Sequence, residues 1–164
     1  MTIDALLSLG GNVGDRKATM DAAVARLAAL PETTVIARSS YYRTEPEGPI
    51  EQPWFLNTAV ALRTGLDAVA LASTCRAIET ALGRDRAREI PSGPRPIDID
   101  LIACGSVGRM TGTADRLDRR AFVLVPLAEI APSVVIDGAS LAEHAAAVGA
   151  ASVVRLDWTL PLNR

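Results

Sequence analysis

The sequence predicts an α+β fold, in which an antiparallel β-sheet packs against helices. Two kinds of stretch alternate along the chain: some are rich in β-branched or alternating apolar residues, and others carry apolar residues at helical spacing. Their order is strand, helix, strand, strand, helix, strand, which is the ferredoxin-like split βαβ arrangement (β-α-β-β-α-β). In this arrangement both helices pack on one face of the sheet. The opposite face is left free or is covered by later elements.

The size and composition of the chain predict one soluble domain. Its 164 residues match a single domain, and no repeat or linker divides them, so residues 1–164 are predicted to form one unit. A net charge of −2 and 4% aromatic residues are unlike a nucleic-acid-binding surface. The apolar stretches are too short to span a membrane, and no basic region precedes the first of them. We therefore expect a cytoplasmic monomer that binds neither nucleic acid nor a membrane.

The first half of the chain contains the first three predicted elements. Residues 4–9 form a short apolar strand that ends at the turn Gly10-Gly11-Asn12. A helix is predicted from 15 to 30, because apolar residues recur at helical spacing until Pro31. Residues 34–42 are rich in β-branched and aromatic residues, which predicts the second strand.

The remaining elements follow a loop of proline, glycine and glutamate. A strand is predicted at 54–64, a helix at 67–82 that stops at Gly83, and, after a basic loop, a strand at 97–103. Extra C-terminal elements are predicted as two helices and a last strand, at 124–130, 140–148 and 152–157.

The strand at 54–64 carries a possible ligand site on one face. Its core face is predicted to consist of Leu56, Thr58, Val60 and Leu62, so Phe55 and Asn57 point to the opposite face. These two residues lie about 7 Å apart along the strand. A flat heterocycle could stack on the phenyl ring while the carboxamide bonds to its edge. An exposed Phe-x-Asn pair without any ligand remains an alternative.

The strand at 97–103 carries two carboxylates on one face. Asp98 and Asp100 are two residues apart, and the isoleucines around them point the other way. Two such carboxylates can hold one or two hard cations, and Mg²⁺ typically combines them with the phosphates of a substrate. A solvated strand face is the alternative.

An arginine-rich loop precedes these carboxylates. It contains Arg84, Arg86, Arg88 and Arg95, and Pro96 favours an extended backbone at Arg95. Arginines beside paired carboxylates suit phosphoryl transfer, in which guanidinium groups stabilise charge on the phosphates. No Walker A motif occurs in the chain. A solvated loop of mixed charge remains possible.

Taken together, these stretches resemble the 6-hydroxymethyl-7,8-dihydropterin pyrophosphokinase family. The resemblance implies the ferredoxin-like α+β fold and an enzyme of folate biosynthesis. It also implies attack of the pterin hydroxymethyl oxygen on the β-phosphorus of ATP, with release of AMP and with two Mg²⁺ ions. The matching stretches cover most of the chain in the order of the family: LGGNVGDR at 9–16, YYRTEPEGP at 41–49, QPWFLNTAV at 52–60, IE-x3-GR at 78–84, GPRPIDIDL at 93–101 and RAFVLVPLAEIAP at 120–132.

The resemblance also implies roles for individual residues. Asp98 and Asp100 would bind the metal and, with Arg84 and Arg95, would form the catalytic group. The pterin would lie between the two phenylalanines, and its site would consist of Thr44, Pro46, Phe55, Asn57 and Phe122. The arginines that would bind ATP are Arg84, Arg86, Arg95, Arg116 and Arg120.

The chain departs from the family pattern mainly on the nucleotide side. Ala114 stands where the family carries a histidine that contacts ATP, the segment 104–113 is shorter, and Ser92 replaces a frequent aromatic residue. The chain's single histidine, His144, is predicted to be a surface or packed residue of a helix. The lost histidine leaves open a pterin-binding homologue with weak or lost kinase activity. A ferredoxin-like regulatory or interaction module is a third alternative. The retained carboxylates and arginines favour the enzyme.

Overall fold

A computed structural model of the chain describes residues 4–105, 111–112 and 120–157. The first elements are, in order, β1 (Ala5–Gly11), α1 (Arg16–Ala28), β2 (Thr33–Arg38), β3 (Tyr42–Thr44), β4 (Phe55–Thr64) and α2 (Ala68–Ala81). The later elements are β5 (Asp98–Cys104), β6 (Thr111–Gly112), α3 (Ala121–Ile130), β7 (Val135–Ile136), β8 (Ala139–Ser140), α4 (Leu141–Val148) and β9 (Val153–Arg155). The predicted antiparallel sheet and the extra C-terminal elements are confirmed.

The main sheet places β1 between the two strands that carry the predicted site residues. Its strand order is β6-β5-β1-β4-β3-β9, β2 also pairs with β4, and all of these pairs are antiparallel. In the register of the sheet, Gly10 lies opposite Asn57 on β4 and opposite Asp98 on β5. The carboxamide and the carboxylate are therefore brought to the same end of the sheet. The short strands β7 and β8 form a separate hairpin.

The helices begin at residues whose side chains accept backbone hydrogen bonds. Asp15 caps α1 by accepting from the backbone N–H of Ala18, and Asp67 caps α2 by accepting from Ala70. Ser140 and Glu143 form a capping box at the start of α4. No helix within the ranges described above is long and apolar enough to cross a membrane.

Two hydrophobic cores lie on opposite faces of the sheet. The first contains α1, α2 and the predicted core face of β4, including Leu56, Val60 and Leu62. The second contains Ala59 and Ala61 of β4 together with apolar residues of α3. The predicted alternation of β4 is thus confirmed, and later elements cover the face opposite α1 and α2.

The predicted strand at 34–42 is divided into β2 and β3, which corrects the sequence-based prediction. Arg38 pairs with Val60 and Tyr42 pairs with Asn57, so one extra residue is accommodated between the two pairs. The cause is Ser39, whose hydroxyl accepts a hydrogen bond from the N–H of Ala59 at 2.8 Å. The backbone N–H of Ala59 therefore bonds to a side chain, whereas in a continuous ladder it would bond to a backbone carbonyl.

Candidate active site

A cavity of about 250 Å³ opens at the end of the sheet where Gly10 lies. Gly10 lines this end and leaves room for the carboxamide of Asn57, because a Cβ at this position would lie 2.9 Å from Oδ1 of Asn57. Eight of the predicted site residues line the cavity: Thr44, Phe55, Asn57, Arg95, Asp98, Asp100, Arg120 and Phe122. The fold therefore brings together residues from β3, β4, β5, α3 and the loop before β5.

The aromatic side of this cavity is built from β3, β4 and α3. Asn57 is 3% exposed, and its Nδ2 donates to Oγ1 of Thr44 at 2.7 Å, which fixes the orientation of the carboxamide. The guanidinium carbon of Arg95 lies 5.3 Å from the centroid of the Phe55 ring. Phe122 lines the cavity from the first turn of α3. An aromatic, hydrogen-bonding recess of this kind suits a flat, polar heterocycle.

A second cavity, of about 640 Å³, lies beside the first. It contains the arginines Arg76, Arg84 and Arg86. The two cavities have four lining residues in common: Ser92, Arg95, Asp98 and Asp100. The paired carboxylates and one arginine therefore lie where the cavities meet, so two different ligands could contact them at once.

The carboxylate of Asp98 lies between two arginines. Its Oδ1 accepts a hydrogen bond from Nη1 of Arg84 at 2.9 Å, and its Oδ2 lies 3.5 Å from Nε of Arg95. In the part of the chain that the structure describes, no group hydrogen-bonds to this buried Nε. The two carboxylate oxygens could bind a hard cation. The Arg95 guanidinium beside them, which is only partly hydrogen-bonded, could bind a phosphate that accompanies the cation.

Arg84 is buried among carboxylates. Its Nη1 donates to Glu79 at 3.1 Å, and its Nε and Nη2 each donate to Glu89 at 2.9 Å. Burial lowers the pKa of Arg84, but the bonds to Glu89 and Asp98 outweigh it and raise that pKa above the ordinary value. These contacts hold Arg84 beside Asp98, while its predicted contact with phosphates stays a prediction.

Glu79 is a functional candidate that the sequence analysis missed. It is 1% exposed and accepts hydrogen bonds from Arg84, from Arg86 at 2.7 Å and from the N–H of Ile99 at 2.8 Å. Ile99 lies between the two aspartates, so Glu79 fixes the backbone that carries them. The sequence does contain an indication of its burial, because this charged residue directly follows Ile78, which belongs to the apolar face of α2.

We expect Glu79→Ala to lower the free energy of unfolding by about 3 kcal/mol, because it leaves a buried guanidinium short of one carboxylate. Urea unfolding monitored by circular dichroism measures this loss. Glu45→Ala is the control, since Glu45 pairs with Arg43 at the surface, where an ion pair contributes about 0–1 kcal/mol. Equal stability of the two variants would contradict the role of Glu79.

Asn12 joins the loops on the two sides of the first cavity, although its place in the sequence predicts only a turn. Its Oδ1 accepts from the N–H of Arg95 at 3.0 Å, and its Nδ2 donates to Gln52 Oε1 at 3.0 Å and Pro53 O at 2.8 Å. Gln52 in turn donates to the carbonyl of Ser92 at 2.8 Å. The loop that carries Arg95 is therefore held at two points, Ser92 and Arg95.

Gly11 lies against the same loop. A Cβ at Gly11 would lie 2.2 Å from the carbonyl oxygen of Pro96, which is closer than real Cβ contacts allow. The approach brings β1 into direct backbone contact with the segment between Arg95 and Ile97.

The remaining predicted residues have different outcomes. Pro46 does not line the first cavity, although its neighbours Glu45 and Glu47 do. Arg86 lines the second cavity, and its predicted contact with ATP stays a prediction. Arg116 and Ala114 lie outside the described residues. His144 is a packed residue, since its Nε2 lies 2.8 Å from the carbonyl oxygen of Ile136.

Comparison with known proteins identifies the family. The profile of 7,8-dihydro-6-hydroxymethylpterin-pyrophosphokinase (HPPK) matches residues 6–132 of the chain. The chain belongs to the HPPK family. It is 46% identical to the 2-amino-4-hydroxy-6-hydroxymethyldihydropteridine pyrophosphokinase of Methylorubrum extorquens over 93% of this chain and 98% of that protein. The enzyme of the same name from Pseudomonas aeruginosa is 36% identical over 92% and 94% of the two chains.

Solved structures of HPPK-DHPS proteins confirm the mixed α/β fold. A crystal structure of an HPPK-DHPS protein in complex with substrates matches with a TM-score of 0.61 at 13% identity and covers 89% of this chain. The HPPK-DHPS of Plasmodium falciparum matches with the same TM-score and identity. The present chain spans 45% and 42% of those two longer chains. As a member of a pyrophosphokinase family, the chain is an enzyme.

Proposed function

We propose that this HPPK transfers pyrophosphate from ATP to the hydroxymethyl group of 6-hydroxymethyl-7,8-dihydropterin and releases AMP, a step of folate biosynthesis. One observation carries the proposal: Asp98, Asp100 and Arg95 line both an aromatic cavity and an arginine-rich cavity. A reaction between two substrates requires such a junction, because the reacting atoms must be held together. The relatives that share 46% and 36% identity with the chain are named for this activity.

The first cavity supplies the contacts that a pterin needs. Phe55 and Phe122 would stack on its rings, and Asn57, held by Thr44, would bond to its polar edge. Residues near Pro46 would contribute through the backbone of the loop. The hydroxymethyl group would then point toward the carboxylates at the junction.

The second cavity supplies the contacts for ATP. Arg84 and Arg86 line it, while Arg120, at the first cavity, and Arg116 are the further arginines proposed for the nucleotide. In the reaction, the pterin hydroxyl loses its proton to solvent, a bond forms between its oxygen and the β-phosphorus, and the bond from that phosphorus to the AMP oxygen breaks. Arg95 lies at the junction of the two cavities, where negative charge would move from the transferred group to AMP. Its guanidinium would therefore stabilise the transferred group.

Asp98 and Asp100 would hold magnesium. Within the described ranges, the two aspartates belong to no group of three or more His, Cys, Asp or Glu residues that could hold an ion. Magnesium commonly combines one or two carboxylates with substrate phosphates, so the phosphates of ATP would complete the ligand set. When bound, magnesium neutralises charge on the phosphates and orients them. We propose that two such ions are bound.

We also propose the ferredoxin-like topology for the central strands. The order β5-β1-β4-β2, with α1 and α2 in one hydrophobic core, supports it. A monomeric cytoplasmic enzyme is likewise a proposal, which is supported by its ordinary composition and a net charge of −2.

The direct test is an assay of the purified chain with ATP, Mg²⁺ and 6-hydroxymethyl-7,8-dihydropterin. We expect AMP and the pterin diphosphate to form in equal amounts, and only when both substrates are present. Binding of the pterin without formation of AMP would overturn the proposal in favour of a pterin-binding homologue without kinase activity.

The pterin pocket gives a second, independent test. We expect Phe122→Ala to weaken pterin affinity by about 1–3 kcal/mol, because a stacking partner and its buried area are lost. Asn57→Ala should cost about as much or more, because polar groups of the pterin would be left unpaired. Isothermal titration with pterin measures both, and ATP titrated alone should bind almost unchanged. Unchanged pterin affinity in both variants would rule out the pocket, and a parallel melting curve detects general unfolding.

A further inference from the structure

A cluster of hydrogen bonds joins the end of α3 to β3. The carboxylate of Glu129 accepts from the N–H of Ser40 at 2.9 Å, from the Ser40 hydroxyl at 2.8 Å and from the Tyr42 hydroxyl at 2.5 Å. Arg155 of β9 lies 3.8 Å from the same carboxylate. Four contacts from three different segments therefore converge on Glu129. This residue lies at the C-terminal end of α3, whereas the N-terminal end lines the cavity.

The same helix carries Phe122 at its other end. Glu129 follows Phe122 by seven residues, which is about two helical turns, so the two side chains lie on one face of α3. The partner of Glu129, Tyr42, lies opposite Asn57 in the sheet. The cluster thus connects β3, which pairs with the strand of Asn57, to the helix that carries Phe122.

Apolar packing alone would leave the position of α3 poorly defined. Glu129 is the only charged residue in its sequence, AFVLVPLAEI, and the buried residues Val123, Leu124 and Leu127 pack on the sheet. Hydrophobic burial has no preferred direction, whereas hydrogen bonds do. Bonds at Glu129 can therefore set the rotation of the helix about its axis and its shift along the sheet.

The carboxylate is suited to this task at neutral pH. Burial raises the pKa of Glu129, but the hydrogen bonds from Tyr42 and Ser40 outweigh it, so the pKa lies below its ordinary value. Burial, followed by the bond to Glu129, raises the pKa of Tyr42 to about 12. The glutamate is thus ionised and the tyrosine protonated, which favours a charge-assisted bond between them.

We propose that Glu129 is a positioning residue of the pterin site: by bonding Tyr42 and Ser40, it sets the place of Phe122 relative to Asn57. This inference rests on the proposed function. It assigns to Glu129 a role through Phe122, with no contact to either substrate.

A double-mutant cycle tests the inference. Tyr42→Phe removes one hydroxyl at the cluster, and we expect it to weaken pterin affinity about fivefold in the wild-type background. In the Phe122→Ala background the same change should have almost no effect, because the ring that it positions is gone. ATP affinity should stay unchanged. Additive effects of the two substitutions would overturn the inference.

Tyr41→Phe is the matched control. Tyr41 is the neighbouring residue and is equally buried, but its hydroxyl donates to Asp21 of α1 on the other side of the sheet. This variant should bind pterin like the wild type. If both tyrosine variants lost pterin affinity to the same extent, general loss of stability would explain the result and the inference would be wrong. Glu129→Gln serves as the second variant if Tyr42→Phe does not fold.

A measurement without pterin separates the inference from the proposed function. The N–H groups of Val123 and Leu124 bond to the carbonyl of Arg120 in the first turn of α3. We expect their hydrogen exchange to be faster in Tyr42→Phe than in Tyr41→Phe. Equal exchange would overturn the positioning role even if the enzyme is active. Faster exchange in an inactive protein would support the positioning of Phe122 while refuting the proposed reaction.

Discussion

Replacement of Asp98 or Asp100 by asparagine is expected to lower the rate of AMP formation by about 100-fold or more, because several kcal/mol of stabilisation by the metal would be lost. Both side chains line the cavities and lie outside the hydrophobic cores, and an asparagine at 98 keeps an oxygen that can accept from Arg84, so the fold should persist. Steady-state assays at saturating ATP and pterin measure the loss. Magnesium titration should show weaker activation in each variant.

Asp85→Asn is the matched control for these substitutions. Asp85 belongs to the same loop region but lies at the surface, where it pairs with Arg88 at 3.5 Å. Its replacement should leave activity within about twofold of the wild type, as expected for an exposed ion pair. Wild-type activity in either Asp98→Asn or Asp100→Asn would show that the metal assignment is incorrect.

Arg95→Ala is expected to reduce turnover by about 100- to 1000-fold, since it would remove a cation from the junction of the two cavities, where we propose that charge develops during transfer. Pterin affinity should fall much less, because the pterin loses only the neighbouring guanidinium, 5.3 Å from the Phe55 ring. Single-turnover kinetics together with equilibrium titration separate the two effects.

The control for Arg95 is Arg88→Ala. The side chain of Arg88 is 89% exposed and lies in the same arginine-rich loop, so its removal tests the general charge of the loop alone. Comparable losses of turnover in the two variants would point to long-range electrostatics. A loss of pterin affinity as large as the loss of turnover would instead make Arg95 a structural part of the pocket.

The elements and the faces of the strands could be predicted because their signals are local. Alternation along 54–64 and 97–103 indicates which side chains point away from the core, and the structure places Phe55, Asn57 and the two aspartates around one cavity. The pairing of these residues with Phe122 came from the family resemblance, since no periodicity links distant parts of a chain.

The features that sequence reasoning missed are long-range polar contacts. Ser39 interrupts a strand because its hydroxyl reaches the backbone of Ala59, twenty residues away. Glu79 and Asn12 act through partners in other segments, which residue types alone do not reveal. Arg84 was interpreted through its charge, whereas its position depends on the carboxylates around it.

The contact between Gly11 and the carbonyl of Pro96 affects how variation in this family should be interpreted. Any larger residue at Gly11 would displace the loop that carries Arg95, because a Cβ would lie 2.2 Å from that oxygen. A position without a functional group would then be under the same evolutionary constraint as the catalytic residues. Invariance of this glycine among homologues would record the closeness of two backbones, and it should not be taken as a sign of contact with a substrate.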